Sequence, residues 1–390
     1  MPKQSLQVRV ESAVLVWARE SAGWSVEDIA HKLKVTSDII REWETGKLSL
    51  TLTMIERLAN YYKRPLSAFL LSEPPPQPPP PKDYRTVIDR QNQFSKDTRL
   101  AIRRAQRLQN VVAELAEELG LDSRARIGAA RLDEVPEQVA QRERERLGID
   151  SAQQRKWKNY SGAFQAWRNT IENANILVFR FAMPTEDARG FSLGEKEPFV
   201  IVVSASDAIV GTIFTLFHEY AHLLLHQPGI CIPEELRSND ANGRNVEYWC
   251  NRFAGEMLVP EQVIHTDGDF QIFIGSQDLE TELLDKLSRR LKVSAEVILL
   301  RMLTAHLITR QRYEDTKGYL ETQRQKKPKK EKAKPIRVSQ AQICLQQKGR
   351  LFTSVVLQGR HKDLVTYSDV ADYLSLRVKH FDSLQLLLER

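Results

Sequence analysis

Two histidines with a glutamate between them form the chemically most informative group of this 390-residue sequence. The segment reads His218-Glu219-Tyr220-Ala221-His222, which is the H-E-x-x-H pattern. On an α-helix, residues four apart lie one turn above each other, so both imidazoles can reach one metal ion. Glu219 is rotated by about 100° from His218, so it can contact a water at that metal and act as a general base. The pattern therefore predicts metal-assisted hydrolysis.

The residues around the histidines predict a buried helix. Leu216, Phe217, Leu223 and Leu224 are all apolar, which would keep the surroundings of the two imidazoles dry. A buried pair of histidines with a carboxylate beside it is costly unless something satisfies its polar atoms. A metal ion would do so, and the alternative is a pair of hydrogen-bonded core histidines with a salt-bridged glutamate.

A hydrolytic zinc site needs a third protein ligand and one open position. The best candidate is Glu247, 25 residues after His222, at the start of a predicted helix with the sequence NVEYWCNRFAGEMLVP. Asn251 follows one turn later and could support a ligand histidine from outside the ligand shell. His226 could do the same. Cys250 is expected to be a small core residue. The rival third ligands are His226, Cys231, Glu234, Glu235 and Asp240. Zinc fits these ligand types, and Mn²⁺ could occupy the same site.

The elements before this helix predict an α+β domain. Spacings of three and four residues between Trp157, Tyr160, Phe164, Trp167 and Ile171 predict a single helix over 151–174 with one apolar face. Two β-branched and aromatic runs follow, ILVFRFAMP and PFVIVVSAS. Because a polar, glycine-containing region separates them, they predict a small antiparallel sheet that leads directly into the H-E-x-x-H helix.

Proline and lysine mark the boundaries between domains. EPPPQPPPP, residues 73–81, has seven prolines in nine residues and predicts a stiff polyproline spacer. A second boundary is the basic run RQKKPKKEKAKPIR, residues 324–337. We therefore expect an all-α domain over 1–72, a Pro-rich linker over 73–82, an α+β domain over 83–320, a basic linker over 321–337 and a small helical domain over 338–390.

The overall composition excludes several classes of protein. With 42 % hydrophobic and 28 % charged residues, the chain can bury a large core and is not disordered throughout. Three cysteines are too few for a disulfide framework, which favours a reducing compartment. The sequence starts without the apolar segment of a secretory signal, and the apolar stretch 199–217 is broken by serines and an aspartate. We expect a cytoplasmic protein that does not enter a membrane.

The net charge of +6 is concentrated in one place. The run 324–337 carries six lysines, two arginines and one glutamate, a local charge of +7, so the rest of the chain is near neutral. Lys326, Lys327, Lys329 and Lys330 could tether the phosphates of a nucleic acid with salt-dependent affinity. The alternative is a solvated linker without a ligand.

Residues 9–71 resemble the Xre/phage-repressor class of DNA-binding domains. The resemblance rests on SVEDIAHKLKVTSDIIREWETGK and on IERLANYYKRPL, in which two short helices are joined by a tight turn. It implies that Ser37, Asp38 and Arg41 face DNA and that Ser25 and Lys47 lie near the phosphates. Acidic residues in the second helix favour weak or partner-assisted DNA binding, and use of the fold for dimerisation or protein contact stays open.

The central part of the chain resembles the ImmA/IrrE family of metallo-endopeptidases. The matching segments, in order, are DYRT (83–86), PFVIVV, FTLFHEYAHLLLH, EYWCNRFAGEMLVP and SRRLKVSAEVILLRML (288–303). The resemblance implies a zincin-like domain in which His218, His222 and Glu247 bind zinc and Glu219 is the general base. It also implies that an Xre-type repressor is cut after stress, DNA damage or a prophage signal. The substrate chain would lie as an added strand along PFVIVV.

Three functional hypotheses follow. The first is a regulatory zinc endopeptidase that acts on a specific protein. The alternative is a DNA- or partner-binding transcriptional regulator that uses an inactive metallopeptidase fold, and a third is a toxin–antitoxin or phage-defence component. Nucleic acid could bind as a duplex to 1–72 or as a single strand to the basic linker, and a homodimer is compatible with the sequence.

In 338–390, helices over Tyr367–Leu374 and Val378–Leu388 could form a stabilising cap, a sensor, a flap or a docking element.

Overall fold

The computed structural model describes residues 6–75, 94–226, 230–231, 241–276, 278, 280–326 and 338–389, without the side chains of 230–231, 241–244 and 324–326. The chain forms two compact units, Met1–Arg103 and Arg104–Arg390. The DYRT segment, most of the Pro-rich linker and most of the basic run lie outside the described residues. Within the described part, no helix combines the length and apolar character needed to span a membrane.

The first unit is built from short helices and a two-stranded antiparallel sheet. Its elements are β1 (Gln7–Val8), α1 (Ser12–Ser21), α2 (Val26–Leu33), α3 (Ser37–Glu44), β2 (Leu50–Thr51), α4 (Leu52–Tyr62) and a 3-10 turn (Leu66–Leu70). Ser25 caps α2 by accepting a hydrogen bond from the backbone N–H of Asp28 at 3.0 Å. Lys34 ends that helix in the left-handed conformation and starts the turn into α3. The pair α2–α3 is a helix-turn-helix, as predicted.

Helix α3 is fixed by one buried ion pair and an apolar core. The Arg19 guanidinium on α1 contacts the Glu44 carboxylate at 2.6 Å, and both side chains are largely buried. Ile40 and Trp43 of α3 pack into the core that α1, α2 and α4 share. The opposite face of α3 is left exposed.

The second unit combines a four-stranded sheet with many helices. Its strands are β3 (Leu177–Phe181), β4 (Gly190–Leu193), β5 (Val200–Ser204) and β6 (Ile230–Cys231). Its helices are α5 (Lys96–Leu119, which begins in the first unit), α6 (Pro136–Leu147), α7 (Ser151–Lys156), α8 (Tyr160–Asn173), α9 (Ile209–Leu224), α10 (Ala241–Leu258), α11 (Glu261–Thr266), α12 (Gly268–Gly275), α13 (Thr281–Leu291), α14 (Ala295–Thr304), α15 (Arg310–Lys326), α16 (Gln340–Lys348), α17 (Arg350–His361), α18 (Tyr367–Leu374) and α19 (Phe381–Leu388, after a 3-10 turn Val378–His380). The predicted α+β class is confirmed.

The prediction of a single helix over 151–174 is wrong, because the helical structure is interrupted between α7 and α8. Asn159 accepts a hydrogen bond from the backbone N–H of Gly162 at 2.8 Å and so caps a new helix that begins at Tyr160. Trp157 lies in the break, yet its ring packs edge-on against Trp167 with a centroid distance of 5.1 Å. The aromatic residues thus share one core although they do not share one helix.

The predicted antiparallel pairing of the two apolar runs is also wrong. The strand order is β3-β5-β4-β6, with β3 parallel to β5 and β4 antiparallel to β5. The region expected to be a turn contains β4, a short strand whose four residues are all buried. Because β4 follows β3 in the chain and pairs with β5, it turns the chain back so that β3 and β5 run in the same direction.

The position of β5 also contradicts the expected substrate strand along PFVIVV. Val202 of β5 pairs with Phe179 on one side and with Phe191 on the other. Both edges of β5 are therefore hydrogen-bonded within the sheet, and no further strand can be added there.

The C-terminal helices pack on the sheet. The rings of Phe352 on α17 and Phe179 on β3 meet edge-to-face at 5.4 Å. The buried Arg168 guanidinium on α8 pairs with Glu172 at 3.1 Å and donates to the carbonyl of Gln346 at 2.7 Å. Residues 338–389 thus bury apolar and charged side chains against the same unit that contains the H-E-x-x-H helix.

Candidate metal centre

Helices α9 and α10 bring together side chains of three residues that could hold a metal ion. Nε2 of His218 lies 3.2 Å from Nε2 of His222. The two carboxylate oxygens of Glu247 lie 3.2 Å from these nitrogens, one from each. Both histidines are buried and Glu247 is partly exposed.

This group fits a zinc ion. A tetrahedron with ligands about 2.0 Å from its centre has edges of about 3.3 Å, close to the observed separations. Two imidazole nitrogens and one carboxylate oxygen are a donor set that zinc accepts in hydrolytic sites, with the fourth position left for water or substrate. The residues present therefore suit the metal that the sequence predicts.

Close packing of α9 on β4 places the site against the sheet. A Cβ on Gly190 would lie 2.5 Å from Cγ2 of Thr215 and 2.9 Å from the carbonyl oxygen of Val202. It would also lie 3.3 Å from Cγ of Glu219. A residue without a side chain is therefore required at this position of β4 for the helix to approach as it does.

The Glu219 carboxylate is fully buried beside the two histidines. Burial raises the pKa of Glu219 to about 7, although the His222 and His218 imidazoles act in the opposite direction. Neither carboxylate oxygen of Glu219 has a hydrogen-bond partner among the described residues. A carboxyl group with its pKa near neutrality can both take up and release a proton, which is what a general base that later acts as an acid needs.

The pKa of the Glu247 carboxylate is shifted in the opposite direction. Burial by itself would raise the pKa of Glu247, but the imidazoles of His218 and His222 hold it well below its usual range. For His222, burial would lower the pKa, but the neighbouring Cys250 and Glu247 raise it well above its ordinary value. Glu247 is thus held as a carboxylate, the form that binds a cation.

One residue of α10 contacts the outer side of a histidine. Nδ1 of His218 lies 3.0 Å from Oδ1 of Asn251, the residue expected to support a ligand from outside the ligand shell. Cys250, between Glu247 and Asn251, is buried in the hydrophobic core, as expected.

His226 does not join the group. Helix α9 ends at Leu224, and His226 follows it in the left-handed conformation with an exposed side chain. A straight continuation of the helix was the basis for expecting it near the site. The rival ligands Glu234, Glu235 and Asp240, and the side chain of Cys231, lie outside the described residues.

Ion pairs hold α10 in place. Both oxygens of Glu137 on α6 accept hydrogen bonds from Arg252, each at 2.8 Å. The buried Arg301 of α14 pairs with Glu256 of α10. These contacts attach the helix that carries Glu247 to two neighbouring helices, which is the support a preorganised site needs.

The residues expected to contact DNA lie on the helix-turn-helix of the first unit. Ser25 has its hydroxyl engaged in capping α2. Ser37 is the first residue of α3, and Lys47 is exposed just after that helix. Their placement on one motif agrees with the resemblance, and their contact with DNA stays a prediction.

Arg41 is already paired with acidic neighbours. Its guanidinium lies 3.1 Å from the carboxylate of Asp38 and 3.1 Å from that of Glu27. All three side chains are exposed, so these pairs are weak in water. The exposed face of α3 is nevertheless acidic around its central arginine. Of the tether lysines, Lys327, Lys329 and Lys330 and the side chain of Lys326 lie outside the described residues.

Comparison with known families supports both parts of this description. The family model of the IrrE N-terminal-like domain, peptidase family M78, matches residues 171–303, which include His218, Glu219, His222 and Glu247. A helix-turn-helix family model matches residues 15–69. A search of curated proteins found no match to the chain. The resemblance stated from the sequence is confirmed, and the chain has the architecture of the ImmA/IrrE family, an Xre-type helix-turn-helix domain followed by an IrrE-like metallopeptidase domain.

Proposed function

We propose that the chain is a zinc-dependent regulatory endopeptidase that hydrolyses one peptide bond in a specific protein. The observation that carries this proposal is the position of Glu219, buried next to a cluster of two histidines and one carboxylate with the spacing of a zinc site. A protein that only binds its partners does not need a buried general base at such a cluster. Burial of this carboxyl group is costly and calls for a chemical role.

Each residue has one task in the proposed reaction. Zinc bound by His218, His222 and Glu247 would act as a Lewis acid toward the scissile carbonyl and make the attacking water more acidic. Glu219 removes a proton from that water and passes it to the leaving amine. Asn251 holds the His218 ring through Nδ1, so that Nε2 faces the site.

An Xre-type transcriptional repressor is the substrate we propose, in a stress, DNA-damage, prophage or phage-defence response. The support is the architecture, because the chain carries a helix-turn-helix domain of the repressor type ahead of the peptidase domain. Domains of one fold can pair with each other, so this domain could bring a related repressor to the peptidase. In this proposal the helix-turn-helix domain serves substrate capture.

The second candidate function is a DNA-binding regulator with an inactive peptidase domain. The match to a helix-turn-helix family favours DNA contact by the first unit. Against tight operator binding stands the pairing of Arg41 with two carboxylates on the exposed face of the motif. The two candidates differ in whether a peptide bond is broken.

The deciding experiment compares wild type with Glu219→Gln in the host cell. New protein N-termini are mapped by mass spectrometry before and after DNA damage, and metal content is measured on the purified proteins. We expect about one zinc per chain in both proteins and a new N-terminus within an Xre-type repressor in wild type only. Loss of the general base should slow cleavage by at least a factor of about 100.

Controls separate metal binding from catalysis. His218→Ala should lose zinc and cleavage together, because it removes a ligand. If wild type and Glu219→Gln give the same set of N-termini, the peptidase proposal is refuted and the regulator becomes the better explanation. If wild type binds no metal when zinc is supplied, the metal centre itself is refuted.

A further inference from the structure

The C-terminal helices α18 and α19 repeat the local structure of the helix-turn-helix formed by α2 and α3. One constant shift in residue number relates the two pairs, from Ser25 to Thr366 and from Lys34 to Ser375. Ser25 and Thr366 each cap a helix of eight residues by accepting a hydrogen bond from the backbone N–H three residues later. We propose that α18 and α19 form a second helix-turn-helix and that it binds duplex DNA through the N-terminal part of α19. This inference does not depend on the proposed peptidase activity.

The turns between the helices have the same backbone conformation at both ends. Lys34 and Ser375 adopt the left-handed conformation, with φ/ψ of 61°/44° and 51°/43°. In each turn the next backbone N–H donates to the carbonyl five residues earlier, at 3.0 Å. The residue before the second helix is extended in both turns, Thr36 at −81°/155° and Arg377 at −70°/142°. The helical stretch that follows therefore starts at equivalent positions in the two motifs.

The buried positions correspond as well. The large apolar side chains that α2 and α3 bury are Ile29, Leu33, Ile40 and Trp43. The same shift in number leads to the buried residues Val370, Leu374, Phe381 and Leu384. Before the first cap, Arg19 donates to the carbonyl of Trp24 at 3.0 Å. Before the second cap, Arg360 donates to the carbonyl of Val365 at 3.4 Å. Agreement in caps, turn and core over one unbroken alignment identifies the second pair as the same motif.

The exposed side of α19 carries unpaired cations where this motif meets DNA. In helix-turn-helix proteins the N-terminal part of the second helix enters the major groove. Arg377 and Lys379 lie at this part of the motif with exposed side chains. No ion pair or hydrogen bond of either side chain is found among the described residues. Both are therefore available to phosphate oxygens and base edges, which cationic side chains contact in DNA complexes.

Helix α18 adds an exposed aromatic residue beside this surface. Tyr367, its first residue, is 54 % exposed, and its ring stacks on Phe381 of α19 with a centroid distance of 6.3 Å. Tyrosine hydroxyls are among the groups that contact DNA phosphates. The aspartates of α18 are already engaged, since Asp369 closes the capping box and Asp372 pairs with Arg107.

The equivalent surface of the first motif is acidic. Residues 36–44 include three acidic residues and one arginine, and that arginine, Arg41, pairs with two carboxylates. Residues 377–385 include one arginine, one lysine and one aspartate, Asp382. Neutralisation of phosphates by lysine and arginine releases counterions and supplies much of the affinity for duplex DNA. Charge therefore favours the second motif over the first as the stronger contact with DNA.

The test is binding of the full-length protein to a fluorescently labelled duplex of mixed sequence, measured by anisotropy over a range of salt concentrations. Arg377→Gln/Lys379→Gln removes both cations and leaves the basic run 324–337 intact. We expect this variant to bind about tenfold more weakly at low salt, with the slope of log affinity against log salt reduced by about 2. Asp382→Asn removes a negative charge from the same helix and should tighten binding about threefold.

The matched control is Arg155→Gln/Lys156→Gln at the end of α7. It also removes one exposed arginine and one exposed lysine, so the net charge falls by the same amount. We expect it to bind within about twofold of wild type, because charges away from the bound duplex are screened by salt. Both double variants should keep the circular dichroism of wild type, since all four residues are exposed.

Three outcomes would overturn the inference. Equal losses in the two double variants would show an effect of net charge alone. An unchanged salt slope in Arg377→Gln/Lys379→Gln would show that these cations do not contact the duplex. Absence of binding by wild type at low salt would show that neither motif binds duplex DNA.

Discussion

Lys348 is a buried lysine that the proposed reaction does not use, and it allows a quantitative prediction. Its side chain is 0 % exposed, and no hydrogen-bond partner of its ammonium is found among the described residues. Nζ lies 5.4 Å from the ring centre of Phe181 on β3 and 5.6 Å from that of Phe352 on α17. The lysine therefore occupies the contact between the C-terminal helices and the sheet.

Burial lowers the pKa of Lys348 from its ordinary value of 10.5 to about 6. The nearby Arg104 lowers this pKa further, as Arg107 does to a smaller extent, whereas Cys344 and Asp372 act in the opposite direction. At pH 7.5 the folded protein holds the neutral amine while the unfolded chain holds the ammonium. Folding then costs the free energy of releasing one proton.

The magnitude follows from the difference in pKa. At pH 7.5 the lysine is three pH units below its unfolded pKa, which corresponds to about 4 kcal/mol. Hydration of the ammonium by local opening of the helices would reduce this value. We expect Lys348→Met, which keeps the side-chain length without the charge, to raise the free energy of unfolding by about 2–4 kcal/mol at pH 7.5.

The sign of the pH dependence is fixed by the same difference. Below pH 6 both states hold the proton, and the full cost of burying an ammonium opposes folding. Between pH 6 and 10.5 only the unfolded state holds it, so wild type gains stability as the pH rises. The gain in the free energy of unfolding from Lys348→Met, relative to wild type, should therefore shrink to about 1 kcal/mol at pH 9.5.

The assay is urea unfolding of the zinc-saturated full-length proteins, followed by tryptophan fluorescence at pH 6.5, 7.5 and 9.5. The control is Lys362→Met, because Lys362 is an exposed lysine at the end of α17. We expect this control to change stability by no more than about 0.5 kcal/mol at any pH. Destabilisation by Lys348→Met, or a gain that does not depend on pH, would refute the reasoning about a neutral buried amine.

Two further changes test the metal centre and the helix-turn-helix motif. Gly190→Ala places a Cβ 2.5 Å from Cγ2 of Thr215, so we expect weaker zinc binding and a loss of about 1–3 kcal/mol in urea unfolding. Gly275→Ala is its control, because a Cβ there meets nothing within 4 Å. Glu27→Gln removes one carboxylate paired with Arg41, and fluorescence anisotropy should show severalfold tighter binding to duplex DNA at low salt. Unchanged affinity in that variant would argue against Arg41 as a DNA contact.

The metal centre was predictable because its geometry is mostly local. His218 and His222 face the same way whenever their segment is helical, and Asn251 follows Glu247 by one helical turn for the same reason. The approach of Glu247 to both histidines was not fixed by spacing. It depends on how α10 is rotated against α9, and that rotation is set by the core and by contacts such as the pair of Arg252 with Glu137.

The errors in the predicted fold arose where one segment of sequence is compatible with two local structures. Asn159 could either continue a helix or cap a new one, and apolar periodicity alone favoured continuation. The strand β4 is only four residues long and lies within a polar stretch, so its pattern was too weak to detect. Without β4, two apolar runs close in sequence are naturally paired as a hairpin.

Residue types and short spacings were enough to identify which residues could bind a metal, which carboxylate could act as the base, and that a helix-turn-helix precedes the peptidase domain. These properties depend on side-chain chemistry and on spacings within single helices. Only the packed chain shows that β5 is central, that Glu247 reaches both histidines, and that 338–389 packs on the sheet. Each of these depends on contacts between segments far apart in the chain, and their pairing is chosen by burial of apolar surface over the whole unit rather than by any local signal.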